Sequence, residues 1–147
     1  MSYFNVRVYG LLINEYDEVL LSDEFEYGRE FTKFPGGGLE FGEGLIDGLK
    51  REFVEECQTE IEIISHFYTT DFYERSSFND SQVISVYYLV RALHELPLTY
   101  KATVFDFDEA STQSFRWATI TSLREDDVTF KTDQIVVGLL KTQFISR

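Results

Sequence analysis

A glycine-dense turn that opens directly onto an acid-rich helix constrains this chain more than any other stretch. It reads Phe34-Pro35-Gly36-Gly37-Gly38-Leu39-Glu40-Phe41-Gly42-Glu43 and continues at once from Gly44 to Cys57. Pro35 stiffens the end of an incoming strand, and the three glycines permit close approach that side chains obstruct. At about 100° per residue, Ile46, Leu49, Phe53 and Cys57 fall on one arc and form the expected buried face. Glu52, Glu55 and Glu56 make a second cluster that abuts this arc, because positions three and four apart lie side by side. Three carboxylates bordering a buried face repel one another and lose solvation unless something positive sits among them.

A solvated face carrying helical pairs such as Asp47 with Arg51, or Arg51 with Glu55, is the ordinary explanation of such a helix. Placement beside the core, directly after the glycines, favours a site instead. Oxygen donors without a nearby histidine or second cysteine suit hard cations, Mg²⁺ or Mn²⁺, and not zinc. Backbone carbonyls of the turn can face a metal, and its amides can face a phosphate. No Gly-Lys-Ser/Thr follows the glycines, so the turn is not a Walker A loop. His66 and His94 have no metal-ligand spacing.

Around this centre the chain reads as one α/β unit with a mixed sheet and helices on its faces. Phe4 to Ile13 and Val19 to Leu21 read as a hairpin across the polar turn at Asn14–Glu18, with Gly10 marking a bulge or a close approach of another backbone. Ser22 to Thr32 has no clear period and reads as a loop. Strand-like stretches follow at Glu60–Ile64 and His66–Tyr73. Val83 to Ala92, nearly continuous in apolar residues, reads as a central strand covered on both sides. Leu93 to Glu109 reads mostly as loop, Ser114 to Ile120 as a last strand. Thr132 to Phe144 reads as a helix packed on the sheet, with Thr132 or Asp133 as its cap.

Composition limits the partners. With 26 acidic and 13 basic residues, the formal charge of −13 repels nucleic acid and anionic membrane surfaces. A small phosphate-bearing ligand is compatible where cations neutralise the local acid. A length of 147 residues suits one domain, residues 1–147, burying about 68–70% of its unfolded surface. No apolar run approaches the roughly 20 residues that span a bilayer, and the start lacks the basic and apolar segments of a signal peptide. A single cysteine, Cys57, forms no internal disulfide. A cytoplasmic setting is expected.

Gly37, five residues, Glu43, seven residues, then Arg51-Glu52-Phe53-Val54-Glu55-Glu56 resembles the signature of the Nudix hydrolases, the MutT-like family. The box covers Gly37 to Thr59, and Pro35-Gly36-Gly37 and Gly42-Glu43 also fit. The late Arg116-Trp117 pair and the C-terminal helix resemble the family more loosely. The resemblance implies a Nudix-type α/β/α sandwich with a mixed central β-sheet. It also implies Mg²⁺- or Mn²⁺-dependent pyrophosphatase action on a small nucleotide-like substrate: a nucleoside diphosphate linked to another group, as in a nucleoside triphosphate, nucleotide sugar or dinucleotide. Carried over by position, Glu52, Glu55 and Glu56 would be metal ligands, joined by the carbonyl of Gly36. Arg51 and Glu43 would hold the glutamates in place. The proton acceptor would be a box glutamate or an acid on a later loop, Glu109 with Asp108 second. Arg29, Lys33 and Arg75 are candidate phosphate or base contacts, with Tyr27, Phe31, Tyr73 and Phe78 as stacking candidates. Many members are homodimers, which an aromatic-rich surface permits.

The box departs from the family pattern at its end, where Gln58 replaces a glycine and Thr59 an apolar residue. Glycine would suit a left-handed residue terminating the helix, so Gln58 implies a different cap or strain of about 1 kcal/mol. The other function class is a catalytically silent ligand-sensing or interaction module. Regulators of that kind usually carry a basic extension or a degraded box, and this chain has neither.

Overall fold

The computed structural model describes residues 2–145. In chain order the strands are β1 (Tyr3–Leu12), β2 (Glu18–Glu26), β3 (Arg29–Lys33), β4 (Gly36–Gly38), β5 (Ile61–Thr69), β6 (Ser81–Ala92) and β7 (Gln113–Thr119). The helices are α1 (Leu45–Cys57) and α2 (Lys131–Ile145), and 3₁₀ turns occupy Ile120–Ser122 and Glu125–Asp127. Two compact units result, one of residues 1–12 and 35–97, the other of residues 13–34 and 98–147. No helix among the described residues is long and apolar enough to cross a membrane.

The first unit holds a mixed sheet of order β4-β1-β6-β5. β1 runs parallel to β6 and antiparallel to β4, and β5 runs antiparallel to β6. The apolar run of β6 is the central strand its sequence suggests. The two stretches from Glu60 to Tyr73 are instead one strand, β5, interrupted by register shifts at Ile63/Ser65 and His66/Tyr68. Gly10 keeps regular register with Tyr88, so there is no bulge. The close approach there comes from a side chain: a carbon added at Gly10 would lie 2.7 Å from Phe53 Cζ. The Phe53 ring on bare Gly10 locks α1 to β1, and Leu49 and Cys57 are fully buried beside it.

Ile46 does not join that buried face; it is 42% exposed. Gly48 is buried in its stead, because the turn after β4 folds down on it. A carbon added at Gly48 would lie 2.8 Å from Leu39 Cδ1 and 2.9 Å from Glu43 Oε1. At the other end of α1, Gln58 takes the left-handed conformation, φ 52° and ψ 37°. Its N–H bonds to the Val54 carbonyl and that of Thr59 to the Phe53 carbonyl, so the helix closes as a glycine would close it, with a side chain in place.

The second unit holds an antiparallel sheet of order β3-β2-β7. The expected β1–β2 hairpin is therefore corrected. The chain does reverse at Asn14, with an isolated Ile13–Val19 bridge, but both edges of β1 are occupied by β4 and β6. The expected loop from Ser22 to Thr32 is a hairpin of β2 and β3. Its two-residue turn is Tyr27-Gly28, with φ 53° and 76°, the positive pair of a type I′ turn that matches strand twist. Buried charges hide the strand period. Asp23 is fully buried and accepts from Arg116 Nε at 2.5 Å, Arg116 Nη2 at 3.0 Å and Thr32 Oγ1 at 2.7 Å. Lys33 meets Glu24 at 2.9 Å, and Ser22 Oγ donates to the same Glu24 oxygen at 2.8 Å.

α2 buries Val136, Val137, Leu140 and Phe144 and leaves Leu139 exposed. Its principal neighbours are the two 3₁₀ turns. Thr132 and Asp133 lie inside its first turn, both buried, and not before it as a cap. Residues 93 to 109 carry no helix or named strand, as their sequence suggests.

Two stability predictions follow from these contacts. Gln58→Gly relieves the left-handed strain and raises stability by about 1 kcal/mol, or about 2–4 °C in Tm, by differential scanning calorimetry. Asp23→Ala strands Arg116 and Thr32 in the interior and lowers stability by about 3–5 kcal/mol in denaturant unfolding.

Candidate active site

The site is built on the edge of β4. Bonds from Gly10 N–H to the Pro35 carbonyl and from Leu39 N–H to the Val6 carbonyl fix the ladder phase. Alternation then points Gly37 at its partner Val8 and turns the amides and carbonyls of Gly36 and Gly38 outward. α1 lies along that outward edge. Gly36 N–H donates to Glu56 Oε2 at 3.3 Å, and the Gly38 carbonyl accepts from Arg51 Nη2 at 3.0 Å. A carbon added at Gly37 would lie 2.6 Å from Glu52 Oε1, so glycine is what admits this carboxylate to the strand. Gly36 has φ 146°, which L side chains rarely adopt, and puts its own carbonyl on the edge that faces Glu56.

Arg51 ties the turn, the strand and the helix together. Its Nε and Nη2 grip the Glu43 carboxylate at 3.0 and 2.7 Å, and its Nη1 reaches Glu52 at 3.2 Å and Glu55 at 3.1 Å. Glu40 stands at 3.6 Å from Nη1. This bidentate grip is the strong form of an arginine–carboxylate pair. The hydrogen bond from Arg51, then that from the Glu40 amide, holds the Glu43 carboxyl below its ordinary pKa. The same hydrogen-bonded pair pushes the Arg51 guanidinium further up from its already high pKa.

Glu52, with 12% of its side chain exposed, and half-buried Glu56 meet the glycine strand, whereas Glu55 is 57% exposed and leans on Arg51. Among the described residues no three His, Cys, Asp or Glu side chains converge on a point where an ion could sit as they stand. The donor chemistry nonetheless suits a hard cation. Two carboxylates and an outward carbonyl share a glycine cradle that any side chain would fill.

The remaining sequence candidates lie on other elements. Glu109 and Asp108 belong to the second unit. Glu109 is exposed in a turn closed by Ser111 N–H on the Asp108 carbonyl at 2.9 Å, and the Asp108 carboxylate takes Lys101 at 2.6 Å. That bond raises the Lys101 pKa. Phe31 and Lys33 are interior groups of the second unit. The Phe31 ring lies 5.4 Å from that of Phe130, and Lys33 is buried on Glu24. Arg29 packs over Phe130, Tyr27 is 84% exposed at the hairpin turn, and Arg75 pairs with Asp80 at 3.1 Å on the surface. Conversely, Arg7 stands beside β4, opposite Gly38 in the ladder. The signal for it is strand alternation, which sends Arg7 and Tyr9 to the face opposite Val8 and Gly10.

The Arg51–Glu43 pair generates an acid-range prediction. A carboxyl with a lowered folded pKa contributes stability that is complete above its ordinary value and lost as pH falls through the folded one. Glu43→Gln is therefore less stable than wild type at neutral pH. The difference in Tm between the two narrows as pH is lowered through the acid range, a comparison thermal melts at a series of pH values will check.

A NUDIX domain model matches residues 4–136. Among curated proteins no sequence matches the chain. Among solved structures it is similar to the MutT protein of Methanosarcina mazei Go1, with a TM-score of 0.69 and 18% identity, over 97% of this chain and 96% of that one. A MutT NUDIX hydrolase from Burkholderia pseudomallei gives a TM-score of 0.69 and 14% identity, over 92% and 96%. A NUDIX hydrolase from Nitrosomonas europaea gives 0.67 and 18%, over 92% and 88%. At these identities the likeness is one of fold. With the domain matched across most of its length, the chain belongs to the NUDIX family, the hydrolases of pyrophosphate bonds.

Proposed function

We propose that this chain is a Mg²⁺- or Mn²⁺-dependent pyrophosphohydrolase that cleaves a nucleoside diphosphate linked to another group. The observation that carries the reading is the contact of the Glu52 carboxylate with the bare backbone of Gly37, one residue from the Gly36–Glu56 bond. Glu52, Glu56 and the Gly36 carbonyl would hold the cation. When bound, a divalent cation there supplies charge neutralisation at the pyrophosphate oxygens and activation of a water. Arg51 positions Glu52 and Glu55 from one guanidinium, and Glu43 holds Arg51 in place. Glu55, the most exposed of the three, is available to accept the proton of the attacking water.

The reading is tested by product release over nucleoside triphosphates, nucleotide sugars and dinucleotides with Mg²⁺ and with Mn²⁺. Metal-dependent cleavage of at least one class is expected. Glu56→Gln should lower kcat by more than about 100-fold, beyond the 10–100-fold typical of outer partners of a metal site. Its Tm in the absence of metal should equal or exceed that of wild type, since a repelling carboxylate is gone. A folded, metal-loaded protein inert on the whole panel overturns the reading. Tight nucleotide binding in Mg²⁺ without product would identify a sensing module instead.

A further inference from the structure

β4 consists only of glycines, so neither of its faces carries a side chain. At Gly37 the Glu52 carboxylate fills the space so left. Gly38 is different. A carbon added there meets one neighbouring atom, Arg7 Nη1 at 3.7 Å, an ordinary van der Waals distance. Its φ lies outside the left-handed region, so neither strain nor crowding requires glycine at this position. The fold leaves an open place beside an arginine.

Arg7 is held there by its own strand. Its Nε donates to the Tyr9 hydroxyl at 2.5 Å, and its guanidinium carbon lies 5.7 Å from the centre of the Tyr9 ring. Tyr9 in turn packs on Tyr87 with ring centres 5.2 Å apart, and both tyrosines are buried. A guanidinium seated on buried aromatic rings is orientated before any ligand arrives. The carbonyl of the same Gly38 accepts from Arg51, which reaches Glu52 and Glu55. Because successive residues face opposite ways, Arg7 stands on one face of this edge strand and Glu52 on the other, with only bare glycine backbone between them. In a chain with half as many basic as acidic residues, a cation so placed is well suited to an anionic group.

We propose that Arg7 and the bare face of Gly38 form a phosphate subsite, which holds the phosphate next to the one under attack. The inference rests on the pyrophosphohydrolase reading and deepens it. It gives the two linked phosphates of that substrate separate cations, with Arg7 at the one not under attack. The planar fork of arginine matches two phosphate oxygens, and the absence of a side chain at Gly38 lets the anion approach the strand.

The test combines steady-state kinetics on a turned-over substrate with calorimetric titration of methylenediphosphonate, a non-hydrolysable pyrophosphate analogue, in Mg²⁺. Arg7→Ala should raise KM and weaken the analogue by about tenfold or more, with kcat within about twofold of wild type. Arg7→Lys keeps the charge without the fork and should fall between the two. Gly38→Ala, which the fold accommodates, should raise KM by filling the place, and should add little to Arg7→Ala because both act on one contact. An active wild type whose KM is unchanged in folded Arg7→Ala and Gly38→Ala overturns the subsite and leaves the hydrolase reading standing. If wild type cleaves nothing, the hydrolase reading fails and the analogue decides alone. Weakening in Arg7→Ala then upholds the subsite; equal affinity, or no binding to wild type, overturns it.

Discussion

The guanidinium of Arg51 is where the turn, strand and helix of the candidate site meet. It contacts four carboxylates, those of Glu40, Glu43, Glu52 and Glu55, and the carbonyl of Gly38. One positive charge cannot balance four negative ones, so the arrangement is only partly neutralised by the protein itself. The grip on Glu43 fixes the turn over Gly48, and the turn fixes where α1 begins relative to β4. The geometry of Glu52 and Glu56 against the glycines is therefore inherited from the Arg51–Glu43 pair. Partial neutralisation also explains how such acid can sit beside a core: Arg51 offsets part of the mutual repulsion of the carboxylates, and the remainder lowers the stability of the fold.

Steric demand rather than charge decides the other half of the site. Phe53 sits on Gly10 and Glu52 on Gly37, so the helix is brought to the sheet at two places where the backbone is bare. A helix seated in this way cannot slide by a turn without driving a ring or a carboxylate into the strand. The apolar and the functional contacts of α1 are thus set by one docking geometry.

These relations explain what could be read in advance. The glycine turn and the carboxylate helix were legible because spacing along a helix fixes which residues are neighbours whatever lies around it. The hairpin of β2 and β3 was not, because Asp23, Glu24 and Lys33 occupy interior positions as paired charges, and polarity there disguises the strand period. Helical periodicity placed Ile46 in the core, yet only the descent of the turn onto Gly48 determines which side of the first turn is covered. Gln58 shows the converse: of a different cap or local strain it takes the strain, in the left-handed end that suits glycine, held by the bonds that Val54 and Phe53 accept. Arg7 belongs to no motif: strand alternation gives its face, but only the ladder sets Gly38, some thirty positions away in the chain, opposite it.

The parallel pairing of β1 with β6 bears on how the chain is made. Tyr3 pairs with Ser81 and Leu12 with Val90, so β1 waits for its long partner while the 78 residues that separate each pair are synthesised. At 5–20 residues per second that interval is roughly 4–16 s. During it, an apolar strand containing Val6, Val8 and Leu11 is at most matched by the three glycines of β4. Few contacts in this sheet are local, which places its closure among the slower β-topologies and leaves the edges of β1 open to pairing with another chain until β6 arrives.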